Sequence, residues 1–585
     1  MKNKRIQALM LAICLAAGVT GCGGTKKSAD EAAQTAVNET TAEAAGSEAA
    51  GAETAAGEAA AVPEYLNMDS QMPIVKEETD ITLKIMIVNG ALYDNMDSIR
   101  DVYFTEAYEK KSGVKVEWIE VSKDAFNDQL ALALTTGDLP DIILKSGLSN
   151  SNQKKYGEQG YFLNLMENDL LKTYAPNYWA LTEKYSDILS SAQMPTGELY
   201  SIGMVRNSTG STVATKMFFN QDWLDAVGEK VPTTSDELYN VLKKFKEEDP
   251  NGNGQADEVG FYTSSSNLQN ATFGMFGIGN RGRLNGFIDR DPDTGKARYF
   301  AKTNGFRQWA EYISKLYSEG LLNKEFFDFT ESNLSNHIVN DQCGAFAYTN
   351  LSIMNEETQK KFTYLDGTLT GPNGFNDWYG TNSMGVTGGY IITTACEYPE
   401  VALRWADYFY SDEGSLFFYF GDEGVTYEAL EDGTYKYTDE VMADFISGKD
   451  TFDACATHVS LYAYGNTPTM TKVPFNSADD NKGIALEAAN ALIEDCAFAW
   501  PTFTFTSDEQ KIKSDVMGDI DSFVKSKRDA WIMGNEELND DTWNAYVETL
   551  EKMGVADVEQ IYQNAVERAY ERGMQEGYHT LGEYQ

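Results

Sequence analysis

An acidic, amide-rich stretch at residues 249–258 carries the clearest chemical signal in the sequence, reading Asp-Pro-Asn-Gly-Asn-Gly-Gln-Ala-Asp-Glu. It fits D-x-[DN]-x-[DN]-G, the first half of a calcium-binding loop, and Gly254 stands at the sixth position, where the backbone turns sharply. Carboxylate, amide and carbonyl oxygens are the ligands that Ca²⁺ prefers in proteins. The predicted donors of a calcium site are Asp249, Asn251, Asn253, Gln255, Asp257 and Glu258.

The closing position of this loop departs from a standard EF-hand. A standard loop ends with a bidentate Glu at position twelve, and here that position is Gly260. Asp257 and Glu258, at positions nine and ten, would supply the closing carboxylates instead. The alternative is a polar Asn-Gly turn after a helix, which needs no metal.

A second acidic run, Asp289-x-Asp291-x-Asp293, is similar in composition but differs in spacing. Its glycine, Gly295, falls at the seventh position, one residue too late for the calcium-loop turn. The surrounding residues 287–300 have the pattern of a β-hairpin. We therefore predict an acidic hairpin tip there.

The N-terminus predicts a lipid anchor. Three basic residues precede an apolar run at 8–19 that is too short to span a bilayer, and the run closes with Val19-Thr-Gly-Cys22. The basic residues are Lys2, Lys4 and Arg5. This pattern is typical of a bacterial lipobox, so we expect a signal peptide at 1–21 and a lipid on the Cys22 thiol. The chain would then be attached to the outer face of the bacterial cytoplasmic membrane; an ordinary signal peptide or a buried core helix is the alternative.

A tether follows the cysteine. Residues 23–62 are mostly Ala, Glu, Thr, Gly and Ser, and they include no aromatic residue. Such a segment has nothing to bury and does not form a core. We expect a disordered linker over residues 22–80 and folded structure from about Ile81.

Composition excludes several classes of partner and site. The 585 residues carry a formal net charge of −43, which gives no overall attraction for nucleic acid, so we expect no nucleic-acid partner. No C-x-x-C pair occurs, which disfavours a zinc site. Outside the N-terminal segment the cysteines are Cys343, Cys396, Cys455 and Cys496. An exterior location permits disulfides, but a chain of this size does not need them, and we favour buried free thiols.

The sequence predicts that α/β units position a site. In residues 81–88 apolar and polar side chains alternate and a continuous apolar run follows, which is typical of a strand. Helix and strand patterns then succeed one another as far as residues 142–144. Strand, helix, strand, helix, strand in so short a stretch predicts a parallel sheet. Ligands of open α/β sheets bind at the carboxyl ends of the strands, here residues 89–94 and 145–147.

The remainder of the chain predicts a second α/β unit and a helical end. Strand patterns occur at 216–220 and 344–348, and amphipathic helix patterns occur between them at 235–247 and 305–318. From residue 482 the sequence is mostly helical. No internal repeat is present.

Four short stretches, in order behind the lipobox, carry a family resemblance. Residues 137–141 (Gly-Asp-Leu-Pro-Asp) precede a strand, residues 316–320 (Leu-Tyr-Ser-Glu-Gly) close a helix, and residues 421–428 read Gly-Asp-Glu-Gly-Val-Thr-Tyr-Glu. Together they resemble family 1 extracellular solute-binding proteins, the lipid-anchored receptors of sugar-type ABC importers. Trp543-Asn-Ala-Tyr546, with the segment that follows, is similar to the C-terminus of the family's long members, which include alginate-oligosaccharide receptors. The resemblance covers about residues 81–572.

That resemblance implies a fold and a function. The fold would be a two-lobe, periplasmic-binding-protein-like α/β fold of type II, in which each lobe is a mostly parallel sheet flanked by helices, with a helical C-terminal region. Lobe one would comprise residues 81–213 and 359–440, and lobe two residues 214–358 and 441–585. The implied function is that of a monomeric, non-enzymatic receptor that binds a carbohydrate between the lobes and delivers it to ABC permease subunits. In the family's long members a loop similar to 249–258 is a structural calcium site.

Candidate ligand-binding residues are aromatic and polar. Sugar receptors stack aromatic faces on pyranose rings while polar side chains satisfy the hydroxyl groups. The candidates in loops at the predicted cleft are Tyr93, Asp94, Trp378, Tyr379 and Trp500. Stretches that border the cleft in the family add Tyr348, Asn350, Glu423 and Tyr427. Ordinary packing is the alternative for every aromatic residue among them, and it is favoured for Tyr348 and Tyr427.

Other functions compete with the receptor. A surface-anchored glycosidase or lyase needs two carboxylates at a set spacing, but with 90 acidic residues such pairs arise by chance. No G-x-S-x-G or H-E-x-x-H motif supports catalysis. A surface adhesin would be favoured by repeats, and a receptor for a peptide or other non-sugar solute is a further alternative.

Overall fold

The computed structural model describes residues 62–574 apart from short gaps. The gaps are residues 90–97, 207–208, 280–285, 352, 355, 381–386, 432, 434, 448, 450–451, 462–466, 472–482, 497–499 and 501. Three predicted site residues, Tyr93, Asp94 and Cys22, lie outside the described residues, as do the predicted signal peptide and most of the predicted linker.

A βαβαβ unit begins the first sheet, as predicted. Its elements are β1 (Thr82–Asn89), α1 (Tyr103–Ser112), β2 (Lys115–Ser122), α2 (Phe126–Thr136) and β3 (Ile142–Leu144). β1 pairs in parallel with β2 and with β3, and β11 (Tyr390–Ile392) pairs antiparallel with β3. The order β11-β3-β1-β2 therefore places the carboxyl ends of β1 and β3 side by side at one edge of the sheet.

Helices from two separate parts of the chain cover this sheet and form the first core with it. The elements that follow β3 are α3 (Asn150–Glu158), α4 (Leu170–Tyr174), α5 (Pro176–Lys184), α6 (Ser186–Ala192), β4 (Val205–Arg206) and α7 (Thr209–Thr212). Those that follow β11 are α14 (Pro399–Asp407), α15 (Asp412–Phe420), β12 (Tyr427–Ala429), β13 (Tyr435–Tyr437), α16 (Ala443–Ile446), α17 (Phe452–Thr457) and β14 (Met470–Thr471). Aromatic side chains of α1, α14 and α15 dominate this core: Phe104, Tyr108, Trp405 and Phe418 are all buried.

A second sheet has the order β10-β5-β9-β6. Its strands are β5 (Lys216–Asn220), β6 (Val259–Tyr262), β9 (Cys343–Tyr348) and β10 (Phe362–Tyr364). β6 pairs in parallel with β9, whereas β5 pairs antiparallel with both β9 and β10. The second lobe therefore holds a mixed sheet, because β5 runs against both of its neighbours.

The elements around the second sheet alternate along the chain as the sequence predicted. They are α8 (Gln221–Val227), α9 (Ser235–Glu247), α10 (Ser265–Thr272), β7 (Ile288–Arg290), β8 (Ala297–Tyr299), α11 (Asn304–Ser318), α12 (Glu331–Val339) and α13 (Glu356–Gln359). The apolar faces of α9 and α11 enter the second core through residues such as Leu242, Phe245, Trp309 and Ile313.

The C-terminal region is helical, which confirms that prediction. It comprises α18 (Gly483–Leu492), α19 (Ser507–Ile532), α20 (Asp540–Lys552) and α21 (Val555–Glu571). A capping box opens α19, since the Thr506 side chain accepts from the backbone N–H of Glu509 and the Glu509 side chain accepts from that of Thr506. Ile520, Val524 and Trp531 of α19 are buried in the second core, so this region is part of the second lobe.

Residues 62–80 are ordered on the first lobe. Leu66 and Val75 form an antiparallel bridge, and Leu66 is 3% exposed. The Arg404 guanidinium of α14 donates to the carbonyl oxygens of Asn67 and Ser70 at 3.0 and 2.8 Å. We expected a disordered linker up to residue 80, and for residues 62–80 this prediction is wrong. A few apolar side chains in a polar sequence suffice to dock the segment.

The predicted pair of α/β lobes is confirmed by two sheets with separate cores. The expected lobe limits differ from the packing in two places. Strand β10 was expected in lobe one but pairs with β5 of the second sheet. Residues Met442 and Met470 were expected in lobe two but lie in the first core. The lobe limits stay a prediction.

Two further features concern the membrane and the thiols. Within the described ranges, no helix combines the length and the apolar character needed to cross a bilayer. Among the described residues, Cys343, Cys396, Cys455 and Cys496 are thiols and form no disulfide, and all but Cys396 are buried. Free thiols are the alternative that the sequence favoured.

Candidate functional site

The carboxyl edge of the first sheet is where a ligand is expected. β3 ends at Leu144, and Lys145, the next residue, has a left-handed backbone with a φ of 61°. Non-glycine residues in this conformation are strained and cluster at ligand sites. The Lys145 side chain is only 8% exposed, and burial lowers its pKa to about 6. Sequence reasoning placed residues 145–147 at the cleft but did not single out this lysine, whose only signal was a cation directly after an apolar strand.

Buried hydrogen bonds fix this edge to the segment before β11. The backbone N–H of Lys145 donates to the Gly389 carbonyl oxygen, and Ser146 Oγ donates to the Gly388 carbonyl oxygen, both at 2.7 Å. Ser201 Oγ accepts from the backbone N–H of Gly388 at 3.0 Å. A Cβ atom at Gly388 would lie 2.7 Å from the carbonyl oxygen of Leu148, so only glycine fits there. The edge is therefore a rigid platform.

Three chain segments connect the first core to the second. The first runs from Val205 to Val213 and the second from Trp378 to Tyr390, and residues 207–208 and 381–386 within them lie outside the described residues. The third leaves the first core after Met470 and enters the second lobe with α18, and its central part lies outside the described residues. Crossing segments of this kind are where two lobes can rotate about each other.

A buried lysine stabilises the first crossing. Lys216, the first residue of β5, donates from Nζ to the carbonyl oxygens of Thr349, Gly210 and Ala214 at 2.9, 3.2 and 3.4 Å. Its three N–H groups thus have three acceptors, which offsets the loss of hydration. Burial lowers the pKa of Lys216 to about 8. The sequence did not identify this residue.

The two predicted tryptophans lie in the second core. Trp378 is 1% exposed, and its Nε1 donates to the carbonyl oxygen of Thr215 at 3.0 Å. Trp500 is 4% exposed and packs on Phe503 with ring centroids 5.5 Å apart. Both residues lie beside crossing or connecting segments, and ligand contact for either one stays a prediction.

The candidates on and after β9 are more accessible. Tyr348 and Asn350 are half-buried, and Tyr348 lies near Phe329 with ring centroids 6.2 Å apart. Burial and the neighbouring Glu331 carboxylate raise the pKa of Tyr348 above its usual value. Tyr379, next to Trp378, retains 9% exposure. These residues belong to the second lobe.

Glu423 and Tyr427 occupy a turn on the first lobe. The backbone N–H of Gly424 donates to the Tyr427 carbonyl oxygen at 2.7 Å, which closes the turn. Tyr427 is buried against Phe420, with ring centroids 5.7 Å apart, whereas the Glu423 side chain is exposed. Burial, followed by the Glu423 charge, raises the pKa of Tyr427 to about 12. The described ligand candidates are thus divided between the two lobes.

The loop at 249–258 has its oxygen atoms turned inward. The Asp249 carboxylate accepts from the backbone N–H groups of Asn253 and Gly254 at 3.1 and 3.0 Å. Asn253 Oδ1 accepts from the backbone N–H of Gln255 at 2.6 Å. Gly254 has a φ of 72°, as the sharp turn at the sixth position requires. Asn251 Nδ2 donates to the Asp341 carbonyl oxygen at 2.9 Å, which ties the loop to the turn before β9.

The two closing carboxylates differ in their surroundings. Asp257 accepts from Gln342 Nε2 at 2.7 Å and from Asn253 Nδ2 at 3.1 Å, and these bonds hold the pKa of Asp257 below its usual value. Glu258 is 2% exposed, and its Oε1 has no hydrogen-bond partner. A buried carboxylate oxygen without a partner is costly unless a cation compensates it. A cation bound in the loop would compensate the unpartnered oxygen of Glu258.

The donor set of such a cation would be mixed. In the part of the chain that the structure describes, no group of three or more His, Cys, Asp or Glu side chains is arranged to hold a metal ion. In this loop, the carboxylates of Asp249, Asp257 and Glu258 flank the amides of Asn251 and Asn253 and the backbone of Gln255. Hard oxygen ligands of this kind suit Ca²⁺ and disfavour zinc or copper.

The second acidic run forms a hairpin, as predicted. β7 and β8 pair antiparallel, and the tip between them contains Asp291 and Asp293. Asp291 Oδ1 accepts from the backbone N–H groups of Asp293 and Thr294 at 2.9 and 2.8 Å. At the base, the buried Asp289 accepts from Arg298 Nε at 2.7 Å. Asp289 and Asp291 thus already have protein donors.

The sequence was compared with known protein families and curated proteins. Residues 91–415 match the model of the bacterial extracellular solute-binding protein family. A fructooligosaccharide ABC transporter substrate-binding protein, FusA of Streptococcus pneumoniae, is 27% identical over 356 residues, which are 59% of this chain and 63% of that protein. The chain thus aligns with less than two thirds of the length of this relative.

Solved structures share the fold over a larger part of the chain. The S. pneumoniae FusA complex with kestose covers 84% of this chain and 99% of its own, at 22% identity and a TM-score of 0.65. An HMO-binding, ABC-transporter-associated solute-binding protein of Bifidobacterium longum infantis covers 84% of this chain and 99% of its own. Its identity is 21% and its TM-score is 0.68. The alginate-binding protein AlgQ2, solved without calcium ion, covers 84% of this chain and 98% of its own, at 23% identity and a TM-score of 0.63.

Proposed function

The chain belongs to the bacterial extracellular solute-binding protein family, and from this premise we propose that it is the substrate-binding protein of an ABC importer for an oligosaccharide. It binds the sugar between its two lobes, closes on it and presents it to the permease. It acts as a monomer and does no chemistry on its ligand. Hinge closure converts ligand binding into a shape that a permease can recognise.

The observation that carries this proposal is the pair of separate α/β cores joined by three crossing segments, one of which is hydrogen-bonded to the carboxyl edge of the first sheet. That edge begins at Lys145, directly after β3, where open α/β sheets bind ligands. The relative FusA is a fructooligosaccharide ABC transporter substrate-binding protein and aligns over 59% of this chain, which supports an oligosaccharide as the ligand class.

Side chains from both lobes would contact the sugar. Lys145 and Glu423 would contribute polar groups from the first lobe, together with Tyr93 and Asp94, which lie outside the described residues. From the second lobe we propose Tyr348, Asn350, Tyr379, Trp378 and Trp500. Tyr427 would support Glu423 from the buried side of its turn. Aromatic faces would stack on the sugar rings, and the polar groups would pair with hydroxyls.

We also propose a structural Ca²⁺ in the loop at 249–258, held by Asp249, Asn251, Asn253, Gln255, Asp257 and Glu258. The support is the unpartnered, buried Oε1 of Glu258 and the inward-facing oxygens of the loop. When bound, the ion supplies positive charge that compensates these carboxylates. The loop is tied to the turn before β9 through Asn251, so the ion would stabilise the second lobe rather than contact the sugar.

The N-terminal signal completes the proposal. Cys22 would carry a lipid that holds the protein at the outer face of the cytoplasmic membrane, behind the signal peptide at 1–21. The segment from 62 to 80 docks on the first lobe, so the linker predicted from the sequence would end near residue 62. Loss of membrane association in Cys22→Ser, measured by cell fractionation, tests the anchor.

The ligand class is tested by the melting temperature of the purified chain. A ligand that binds only the folded state raises the midpoint, by an amount that grows with its concentration over its dissociation constant. The panel contains kestose, human milk oligosaccharides, oligomers of alginate and galacturonate, and short peptides. A shift with one oligosaccharide class supports the proposal. A shift with peptides alone would replace the substrate class, and consumption of a sugar during incubation would replace the receptor with an enzyme.

A further inference from the structure

A set of hydrogen bonds joins the two lobes at a place where the chain does not cross. From the second lobe come Arg572, at the end of α21, and the segment 502–507 that leads into α19. From the first lobe come α3 and the segment 186–195, which contains α6. We call this contact the clasp.

Arg572 is the centre of the clasp. Its Nη1 donates to the carbonyl oxygen of Gln193 at 3.2 Å, and its Nη2 donates to those of Met194 and Pro195 at 3.0 and 2.8 Å. A planar guanidinium carries five N–H donors in a fixed fork, which suits three successive carbonyl groups. Met194 is buried against the first sheet, so Arg572 holds backbone that belongs to the first lobe.

Three further bonds flank this guanidinium. Thr504 Oγ1 donates to the Gln193 carbonyl oxygen at 2.9 Å. Lys154 Nζ of α3 donates to Ser507 Oγ at 2.9 Å. Ser186 Oγ donates to the Gly573 carbonyl oxygen at 2.5 Å. Every bond is polar, and polar contacts re-form with water at low cost when two surfaces separate.

The second-lobe half of the clasp is internally rigid. Arg568 Nη2 donates to Glu509 Oε2 at 2.6 Å and to the Thr504 carbonyl oxygen at 3.2 Å. These bonds fasten the segment 502–507 to α21, one helical turn before Arg572. The side chains of Arg572 and Thr504 are therefore presented to the first lobe as one unit.

The first-lobe half is linked by hydrogen bonds to the carboxyl edge of its sheet. α3 starts directly after the loop that follows β3, and Asn150 Nδ2 donates to the Ser191 carbonyl oxygen at 2.9 Å. Thr387 Oγ1, next to the segment before β11, donates to Asn150 Oδ1 at 2.9 Å. The residues that Arg572 holds are thus linked to the carboxyl edge where the ligand is expected, and they belong to none of the three crossing segments.

We propose that Arg572 is a positioning residue that fastens the closed arrangement of the two lobes and releases it on opening. This inference rests on the proposed function, in which the lobes move about the crossing segments. A contact made by hydrogen bonds, outside the three crossing segments, is suited to making and breaking. In this role Arg572 touches no ligand and acts by shifting the population of the closed state.

The experiment measures the radius of gyration of the purified chain by small-angle X-ray scattering, without any sugar. Arg572→Met removes three bonds, so we expect a larger radius than in the unchanged chain. Arg307→Met is the matched control, because Arg307 pairs with Glu311 and Asp540 at 3.0 and 2.8 Å within the second lobe, and it should leave the radius unchanged. Arg572→Lys keeps the charge and should restore part of the compaction.

An engineered disulfide tests the same contact by strengthening it, which should reduce the radius of gyration instead of increasing it. A Cβ atom at Gly573 would lie 3.7 Å from Cβ of Ser186, within the range of a disulfide. The double variant Ser186→Cys, Gly573→Cys should have a smaller radius when oxidised than when reduced. If oxidation leaves the radius unchanged, or if Arg572→Met does not enlarge it, the clasp is a permanent joint and the proposal fails. Since no sugar is present, this outcome is independent of the proposed ligand class.

Discussion

The indole Nε1 of Trp378 donates a 3.0 Å hydrogen bond to the carbonyl oxygen of Thr215. Thr215 lies two residues after the first crossing segment, and Trp378 lies at the start of the second. Lys216, the next residue, donates to three carbonyl oxygens around the same point. Two of the three connections between the lobes are therefore joined inside the second lobe.

We expect Trp378→Phe to weaken this joint. The change keeps a buried ring but leaves the Thr215 carbonyl oxygen without its donor, at a cost of about 1–3 kcal/mol in the free energy of unfolding. Urea unfolding measures this cost. Trp309→Phe is the matched control, because Trp309 Nε1 donates to Thr272 Oγ1 at 2.9 Å within one lobe. Both variants should lose stability, but only Trp378→Phe should change the affinity for a bound oligosaccharide, because Trp378 lies at a crossing and is also a proposed ligand contact; equal affinities would contradict both roles.

Calcium should stabilise the chain through the loop at 249–258. Because the ion binds only the folded loop, the melting temperature should rise with added CaCl2 and fall with chelator. Asp249→Asn removes one carboxylate and should abolish most of this rise. Asp293→Asn, in the exposed hairpin tip, should keep the full rise. A calcium response that survives Asp249→Asn would place the ion elsewhere.

The docked N-terminal segment should contribute to the stability of the first lobe. Leu66→Ala removes a buried side chain and should lower the free energy of unfolding by about 2–4 kcal/mol. Met68 is nearby in sequence but exposed, so Met68→Ala should change it by less than about 0.5 kcal/mol. Chemical denaturation compares the two variants. Equal, small effects would mean that residues 62–80 behave as the linker that the sequence predicted.

The first lobe should lose stability between about pH 4 and pH 6 because of Asp407. Its carboxylate is buried and accepts from the backbone N–H of Tyr178 at 2.9 Å and from Asn177 Nδ2 at 2.8 Å. Burial raises its pKa from 3.8 to about 6. In this window the folded chain keeps a proton that the unfolded chain has released, so stability falls as the pH rises, by up to about 3 kcal/mol.

Asp407→Asn isolates this contribution. The variant cannot titrate, so the free energy of unfolding, measured at pH 4, 5, 6 and 7, should fall less steeply with pH than that of the unchanged chain. Other carboxyls with raised pKa values, such as Asp141 and Asp521, are present in both proteins and cancel in the difference. Parallel pH profiles would show that Asp407 is ionised throughout.

The fold could be predicted from the periodicity of apolar residues and from the residues that end helices and strands. The strand at 142–144 and the helix at 235–247 have the predicted limits, because an apolar run or an amphipathic face ends there at a clear boundary. The late position of Gly295 and the surrounding pattern predicted the hairpin tip, which the structure confirms, whereas calcium in the loop at 249–258 stays a prediction.

The site and the lobe limits depend on long-range contacts, which local patterns do not encode. Trp378 and Trp500 are flanked by loop-forming residues, yet both are packed in the second core. Strand β10 joins β5 across more than a hundred residues, and Arg572 reaches carbonyl groups of residues 193–195. Lys145 has an ordinary sequence context, and only its backbone conformation and burial distinguish it.

The central claim is that the chain binds an oligosaccharide between its lobes without altering it. Isothermal titration calorimetry of the purified chain with the oligosaccharide that shifts its melting temperature tests this most directly, followed by chromatography of the recovered sugar. The account predicts one site per chain, an affinity reduced at least ten-fold in Tyr379→Ala, and a sugar recovered intact. Binding of peptides but no sugar, or recovery of a shortened sugar, would contradict it.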